Sequence, residues 1–332
     1  MAARSAAIDS IITTTLPKVR TKIQQFVYRK NALTSLLMEK AKIIERGGES
    51  IYEPVFATAP VGATSYSGAD PFSTTITDTM TSSQWSWKII GGTAGITGED
   101  EMKNSGTEAK IDLAEARIDQ MKMAVANYLD NNLHGDGTGN SSKDFNGLKL
   151  LVSTGTPITN PGGLSETTYA NWANQRATGI TYGNSMQTST GGYHTIRSVL
   201  LDCTDGTEHP DCGIACLDMF ESLLNTIGVN ERYTMDSEHT KAFTGFQTIN
   251  AWGTPVVMTR NSNAGSYAND DAKHYWLNTD YLKLVIHKDK NFVMEGPQKP
   301  YDQDVKWWKL MVGGELICTN RRMQGVVEGI AV

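Results

Sequence analysis

The sequence predicts an α+β protein, and three features of the 332-residue chain support that class. The stretch from Ile96 to Gly135 has the apolar spacing of one long amphipathic helix. The segment from His274 onward alternates short apolar runs with turn residues, which is typical of strands. Glycine, serine, threonine and asparagine are plentiful throughout, which favours turns and strands over a helical bundle.

Length and composition limit the classes that the chain can belong to. A chain of 332 residues is expected to form about two domains and is long enough to bury a sizeable core. The sequence has no run of 18 apolar residues and no evident signal peptide, so we expect neither a membrane span nor export. Four cysteines are too few for a disulfide scaffold at this length, which favours cytosolic synthesis.

The N-terminal arm, residues 1–46, is basic in an acidic protein. It carries nine lysines and arginines against three acidic residues, a balance of +6 where the whole chain has −6. Such an asymmetry can mark a segment that meets a polyanion or an acidic neighbour, and a solvated helical face is the alternative. The apolar residues between Lys18 and Arg46 predict one or two amphipathic helices, with Ile43 and Ile44 among their anchors.

Residues 49–95 predict a long two-stranded excursion. Ile51 to Val61 reads as extended, Ser67 to Pro71 as a turn cluster, and Gln84 to Ile90 as the returning strand. An isolated two-stranded hairpin is marginal in water, so this one must lie on something else. A partner subunit is the natural candidate.

The long helix is predicted to be the spine of the fold. Ser105 and Glu108 have the spacing of a capping box, and Gly135 lies where a left-handed C-cap is wanted. These signals give a helix of about 27 residues, or about 40 Å. Its apolar stripe consists of Ile111, Ala114, Ile118, Met121, Val125, Tyr128, Leu129 and Leu133.

The rest of the chain predicts one helix and a series of strands. Residues 153–193 form a long polar connection, and a helix follows from Leu217 to Ile227. The predicted strands of the last segment are His274–Leu277, Tyr281–His287, Asn291–Met294, Asp304–Val312 and Leu316–Thr319.

One cluster suggests chemistry of a different class. Cys203, His209, Cys212 and Cys216 lie close together, and the Cys212–Cys216 spacing falls within the range of zinc ligands. A second clean pair is missing, and cysteine is among the most buried residue types. This cluster therefore has two interpretations, a metal site of an enzyme or cysteines packed on a buried strand. Other catalytic motifs are missing from the sequence, which has no G-x-S-x-G, HExxH or post-strand GxGxxG motif.

The order of the elements resembles the major capsid proteins of tailed bacteriophages, whose fold is the Hong Kong 97 type. The matching order is a basic helical arm, an extended hairpin, the spine sequence GEDEMKNSGTEAKIDLAEARI, a glycine-rich exit and Gly147-Leu148. Further matching motifs are Gly163-Leu164, Asn171–Gln175, Gly245–Ile249, Gly253–Val257, Tyr275–Leu282 and Asn320–Val326. Each motif is weak alone, and the specific signal is their order along nearly the whole chain.

The resemblance implies a division of the chain into named parts. The expected boundaries are 1–46 for the N-terminal arm, 47–98 for the extended loop, 99–150 for the peripheral domain with the spine helix, 151–275 for the axial domain, 276–318 for further peripheral strands, and 319–332 for a C-terminal segment in the axial domain. No long scaffolding segment is expected before the arm, so a separate scaffolding protein, or none, is implied.

The resemblance also implies site residues, and these are contact residues rather than catalytic ones. Candidates for contact between subunits are Tyr52, Phe56, Tyr66, Phe72, Trp85 and Trp87. Intrachain core is the alternative position for the tryptophans. Candidates for a DNA-facing basic arm are Lys18, Arg20, Lys22, Arg29 and Lys30. DNA contact of this kind would act through counterion release and would not depend on base sequence.

The function implied is structural and not enzymatic. Many copies, arranged as hexamers and pentamers, would close an icosahedral shell around packaged double-stranded DNA, without a cofactor, a metal or a membrane. The implied partners are neighbouring subunits, a portal, and a separate scaffolding or decoration protein. The implied location is the virion, assembled in the cytoplasm of the host bacterium. An encapsulin-like compartment with protein cargo shares this fold and is the alternative.

Overall fold

The computed structural model describes residues 31–45, 47–56, 65–70, 80–103, 113–157, 159–181, 192–227, 248–266 and 272–330. These residues belong to two compact units. The smaller unit takes in Ile89–Leu129 and Asp289–Gly313, and the larger one takes in Asn31–Lys88, Asp130–Lys288 and Gly314–Val332. The basic residues from Lys18 to Lys30, Phe72, and the predicted capping pair Ser105 and Glu108 all lie outside the described residues.

Both helices and strands are present in the described residues, as the class predicts. The helices are α1 (Ala32–Lys40), α2 (Gly98–Lys103), α3 (Leu113–His134), α4 (Leu148–Leu151), α5 (Gly192–Asp202) and α6 (Leu217–Ile227). The strands are β1 (Lys42–Glu45), β2 (Ser50–Phe56), β3 (Met80–Ser86), β4 (Lys88–Thr97), β5 (Gln175–Thr181), β6 (Cys212–Cys216), β7 (Thr248–Ala251), β8 (Thr254–Thr259), β9 (Ala272–Leu277), β10 (Leu282–His287), β11 (Val293–Gln298), β12 (Val305–Cys318) and β13 (Gly325–Ile330). None of these helices combines the length and the apolar character that a membrane span requires.

A six-stranded sheet in the order β5-β13-β9-β6-β8-β7 forms the centre of the larger unit. The β13–β5 and β6–β8 pairs are parallel, and the other pairs are antiparallel. Every residue of β6 is buried, so this strand reads as a short apolar run without alternation. The uninterrupted apolar sequence of Cys212–Cys216 is therefore explained by the central position of this strand in a sheet that is covered on both faces.

Helices α5 and α6 pack apolar side chains on this sheet. Trp276 on β9 is fully buried and donates its indole N–H to the carbonyl of Ile196 at 3.0 Å. The core that they build contains Ile196, Val199, Leu200, Met219, Phe220, Leu223, Val256 and Val327. Helix α5 begins at Gly192, at the end of the polar connection predicted for 153–193, and its buried Ile196 and Val199 make it amphipathic.

A second set of strands in the larger unit corrects one prediction. β1 pairs in parallel with β10, in the register Lys42 to Leu284, so Ile43 and Ile44 lie on a strand. The prediction of helix up to Arg46 is wrong here, because α1 ends at Lys40. β-branched isoleucines favour a pleated strand when an open edge such as that of β10 accepts them. β10 also pairs with the Gly314–Cys318 end of β12, in antiparallel register.

In the smaller unit, the backbone of strand β4 lies close to helix α3. β4 runs through Gly91 and Gly92, where the sequence predicts the end of a strand. A Cβ at Gly92 would lie 2.4 Å from Cγ2 of Val125 on α3, so only glycine lets the strand lie against the helix. β12 pairs with β11 in antiparallel register and also with β4. β12 is one continuous strand of 14 residues, where the sequence predicts two.

The spine helix is confirmed in the part that the structure describes. α3 spans 22 residues, against about 27 expected from the sequence. Four residues of the predicted stripe are buried, namely Met121, Val125, Leu129 and Leu133. Ile118 is half-buried, and Tyr128 is exposed. The stripe is therefore narrower than predicted and lies at i, i+4 spacing.

Arg321 is a fully buried cation in the larger unit, next to β13. Its guanidinium donates to Leu151 O at 2.6 Å, Glu166 Oε1 at 2.8 Å, Asn174 Oδ1 at 3.0 Å, Trp172 O at 3.3 Å and Ser153 Oγ at 3.5 Å. Burial lowers the pKa of Arg321, and the carboxylate of Glu166 opposes that shift. The fork of five N–H groups thus ties the loops before β5 to the C-terminal strand.

Candidate subunit-contact surface

The hairpin of β2 and β3 has two chemically different faces. The strands pair from Ser50 opposite Ser86 to Phe56 opposite Met80. Side chains alternate along a strand, so every second residue shares a face. On the inner face Ile51 and Val55 are buried, whereas Tyr52 and Phe56 on the outer face are 59% and 74% exposed.

The outer face carries a strip of apolar side chains that are exposed in the described part of the chain. Met80 is 57% exposed and lies directly opposite Phe56, so the two side chains are cross-strand neighbours. We call Tyr52, Phe56 and Met80 the hairpin strip. Contiguous exposed apolar side chains on one strand pair are typical of a surface that another molecule covers. The sequence analysis missed Met80, although the pairing of the two strands places it there.

The inner face corrects the contact prediction for Trp85. Its side chain is 2% exposed, and its indole N–H donates to Ser83 Oγ at 3.1 Å. The turn at Gly162 closes over it, because a Cβ there would lie 2.7 Å from Ser83 and 3.0 Å from Trp85. Trp85 therefore belongs to the core of its own chain, which is the alternative that the sequence left open.

The other predicted contact residues lie in different surroundings. Trp87 is half-buried and packs edge-to-face on His287, with ring centroids 5.3 Å apart. Tyr66 is 58% exposed in the short segment 65–70. Phe72 lies outside the described residues, as do Lys18, Arg20, Lys22, Arg29 and Lys30. Contact through these residues stays a prediction.

A buried polar cluster anchors the C-terminal end of the spine helix within the larger unit. Asp130 accepts a hydrogen bond from Thr34 Oγ1 on α1 and another from Asn261 Nδ2, both at 2.8 Å. His134, one turn later, is fully enclosed, and burial lowers the pKa of its imidazole against the opposing charge of Asp130. The neutral ring lies 3.4 Å from Thr259 Oγ1. These contacts fix α1 and β8 against the helix end.

The cysteines lie in the core rather than at a reactive site. Cys203, Cys212, Cys216 and Cys318 are all buried free thiols, whereas His209 is exposed. Burial raises the pKa of each thiol, and that of Cys318 reaches about 12. Among the described residues, no three His, Cys, Asp or Glu side chains converge in a way that would hold a metal ion. The thiols are therefore packed as small apolar groups.

A thiol titration checks this assignment. In the native protein we expect a thiol-specific chromogenic reagent to label none of the four cysteines on the minutes timescale, because thiolates are scarce and access is closed. In concentrated guanidinium chloride all four should react. Rapid stoichiometric labelling in buffer, or stoichiometric zinc in the purified protein, would contradict the core assignment.

Comparison with solved structures identifies the fold. The chain is similar to the cyanophage A-1(L) capsid asymmetric unit, with a TM-score of 0.68 and 16% identity over 93% of this chain and 95% of that one. It is also similar to the capsid of the native GTA particle, with a TM-score of 0.58 and 11% identity over 100% of both chains. No protein-family profile and no curated protein sequence matches the chain.

A third similarity falls in another group of shells. The holo-SrpI encapsulin complex from Synechococcus elongatus PCC 7942 matches with a TM-score of 0.55 and 9% identity, over 99% of this chain and 96% of that one. The α+β fold of the chain is thus the Hong Kong 97-type capsid fold, as the order of the sequence motifs predicts.

Proposed function

We propose that this chain is the major capsid protein of a tailed phage. The observation that carries the proposal is the likeness to phage capsid subunits over nearly the whole of both chains. A fold shared end to end leaves little of the chain for an additional domain with another task. In this role the protein acts on no substrate, and its work is to close a lattice with copies of itself.

Assembly into hexamers and pentamers requires large contacts between subunits. Obligate interfaces bury about 2,000–5,000 Å² or more and are rich in apolar side chains. The hairpin strip supports this role, because exposed aromatic and methionine side chains are costly in a free monomer. A neighbouring subunit that covers Tyr52, Phe56 and Met80 removes that cost.

The division into domains is part of the proposal. The six-stranded sheet draws on the predicted axial residues 151–275 and on β13 from the C-terminal segment, which supports their assignment to one domain. The hairpin supports the extended loop predicted at 47–98 as far as Trp87, whereas β4 from Ile89 onward belongs with the smaller unit. The smaller unit also contains the first part of α3 and the β11–β12 pair, which supports their assignment to one peripheral domain.

The proposal includes partners and a place of assembly. The shell would enclose double-stranded DNA, join a portal at one vertex, and use a scaffolding or decoration protein where one exists. The basic arm would meet phosphates without base specificity, because counterion release depends on charge alone. Assembly would take place in the cytoplasm of the host bacterium, and the mature location would be the virion.

The hairpin strip provides the test of assembly. We expect the double variant Tyr52→Ser and Phe56→Ser to keep the native circular dichroism spectrum, because both side chains are exposed in the subunit. Closed particles should be lost, and sedimentation should show monomers or small oligomers. Gln84→Ser, an exposed polar change on the same face, should leave particles intact. Wild-type particles from the double variant would refute the contact role.

An encapsulin-like compartment is the second candidate, favoured by the similarity to the SrpI shell. Both candidates predict a closed particle, so assembly alone does not separate them. The contents do. Particles purified from the cells that naturally make this protein should hold double-stranded DNA if the chain is a phage capsid protein, whereas one abundant protein species inside them would favour the compartment.

A further inference from the structure

A buried histidine lies where three elements of the larger unit meet. His134 is the last residue of α3, and its side chain is enclosed. Its Nδ1 lies 3.0 Å from the backbone oxygen of Asp130, and its Nε2 lies 3.4 Å from Oγ1 of Thr259 at the end of β8. The side chain of Asp130 in turn accepts a hydrogen bond from Thr34 on α1 at 2.8 Å. The imidazole therefore belongs to one network that connects α1, α3 and β8.

The hydrogen bonds of the ring assign its tautomer. A backbone carbonyl can only accept, so Nδ1 carries the proton that it donates to the oxygen of Asp130. Nε2 is then an acceptor, and the hydroxyl of Thr259 donates to it. The oxygen of that hydroxyl accepts the backbone N–H of Asn261 at 3.3 Å. Every group in this chain of hydrogen bonds is paired when the imidazole is neutral.

Asp130 is the charged group that faces the imidazole among the described residues. Its Oδ2 lies 3.7 Å from Nδ1 and accepts a hydrogen bond from Asn261 Nδ2 at 2.8 Å. The contacts from α1 and β8 come from threonines, and Arg260 next to the network is exposed. Burial lowers the pKa of His134, and the carboxylate of Asp130 opposes that shift without reversing it. The folded subunit therefore favours the neutral ring.

We propose that His134 is an acid-sensitive latch, which holds α1 and the end of β8 on the spine helix while neutral and releases them when protonated. A proton on Nε2 makes that nitrogen a donor, and it then faces the hydroxyl hydrogen of Thr259. The hydroxyl has to turn away and loses its acceptor. The new positive charge also lies in a site that is closed to water, where a charge is costly.

The lowered pKa fixes the direction of the pH dependence. In the open state the ring meets water, and its pKa returns to about 6.5. Below that pH the open state binds more protons than the closed state, so the closed state loses stability as the pH falls through about 6.5. One proton changes the opening equilibrium by at most about tenfold per pH unit. The loss ends once the pH falls below the pKa of the closed state, and above about 6.5 the latch stays closed.

Amide hydrogen exchange of the full-length subunit tests the latch, and the inference is independent of the function proposed above because it concerns a single subunit. The two conditions are about pH 7.5 and about pH 5, on either side of the ordinary histidine pKa. After correction for intrinsic exchange rates, we expect the amides of Ala32–Lys40 and of residues 261–264 to lose protection at the lower pH. Strand β6 should keep its protection. Unchanged protection of both segments, or equal loss in β6, would overturn the proposal.

Three variants assign the effect to the imidazole. His134→Gln is neutral at every pH and offers Oε1 to the hydroxyl of Thr259, so it should keep at about pH 5 the protection that the wild type loses. Thr34→Val removes the bond between α1 and Asp130 and should release at a higher pH than the wild type, even if His134→Gln is insoluble. His209→Gln, at an exposed histidine, is the matched control and should behave like the wild type. Equal loss of protection in the wild type and His134→Gln, or release of Thr34→Val at the wild-type pH, would overturn the proposal.

Discussion

Replacement of Arg321 by alanine is expected to lower the free energy of unfolding by about 3–5 kcal/mol. The change removes a buried cation and leaves Glu166, with only 9% of its side chain exposed, with its ion pair to Arg176 at 2.6 Å and a cavity where the second cation lay. The carbonyl groups of Leu151 and Trp172 lose their donor at the same time. Each buried acceptor left without a partner costs about 1–3 kcal/mol.

The neighbouring arginine is the control for this experiment. Arg322 is exposed, so Arg322→Ala should change stability by no more than about 0.5 kcal/mol. Arg321→Lys should fall between the two, because one ammonium cannot reach all the acceptors that the fork holds. Urea unfolding followed by circular dichroism measures all three variants. Equal midpoints for Arg321→Ala and Arg322→Ala would show that the buried network contributes nothing.

Val125→Asp should prevent folding of the smaller unit. Val125 is buried where β4 passes at Gly92, beside the apolar side chain of Met121, so a carboxylate there would be buried in apolar surroundings. Burial of an unpaired charge is among the few single changes that cost more than about 4 kcal/mol. We expect the variant to accumulate as insoluble protein, with no soluble subunit and no particles.

The residue before it on the helix provides the comparison. Ala124 is exposed, so Ala124→Asp adds the same charge to the same helix turn without burying it. That variant should remain soluble and keep a melting temperature close to wild type. Measured together, the two test which face of α3 is covered. Soluble Val125→Asp with native spectra would show that the assignment of the buried face is wrong.

The spine helix illustrates what the sequence predicts well. The i, i+4 spacing of Met121, Val125, Leu129 and Leu133 is a local pattern, and local patterns follow from helix geometry alone. The buried strand Cys212–Cys216 was predictable for the same reason, since a short apolar run without alternation fits a covered strand.

Contacts between distant residues were beyond the reach of such patterns. The partners of Arg321 lie 147 to 170 residues earlier in the chain, and no spacing rule connects them. The helix predicted through Ile44 failed because an open strand edge at β10 overrides local preference. The contacts of Lys88 with Asn146 Oδ1 at 3.0 Å and with Glu315 Oε2 at 3.6 Å likewise join three separate parts of the chain, and no local pattern predicts them.

The hairpin shows an intermediate case. Aromatic residues marked the segment as a contact surface, but composition does not say which face of a strand each one occupies. The cross-strand register supplies that information, and it separates Trp85 from Phe56. Once Ile51 and Val55 are known to point inward, strict alternation assigns the remaining residues.

The borders between the two compact units fall inside regular elements. One lies within α3, between Leu129 and Asp130, and another lies within β12, between Gly313 and Gly314. A genetic crossover at either point would join half of a helix or strand to a foreign half, whose side chains would not match the buried positions. Exchange between related genes is therefore expected to preserve this chain as one block, and its lineage should diversify by point substitution and by insertion in loops rather than by trading units.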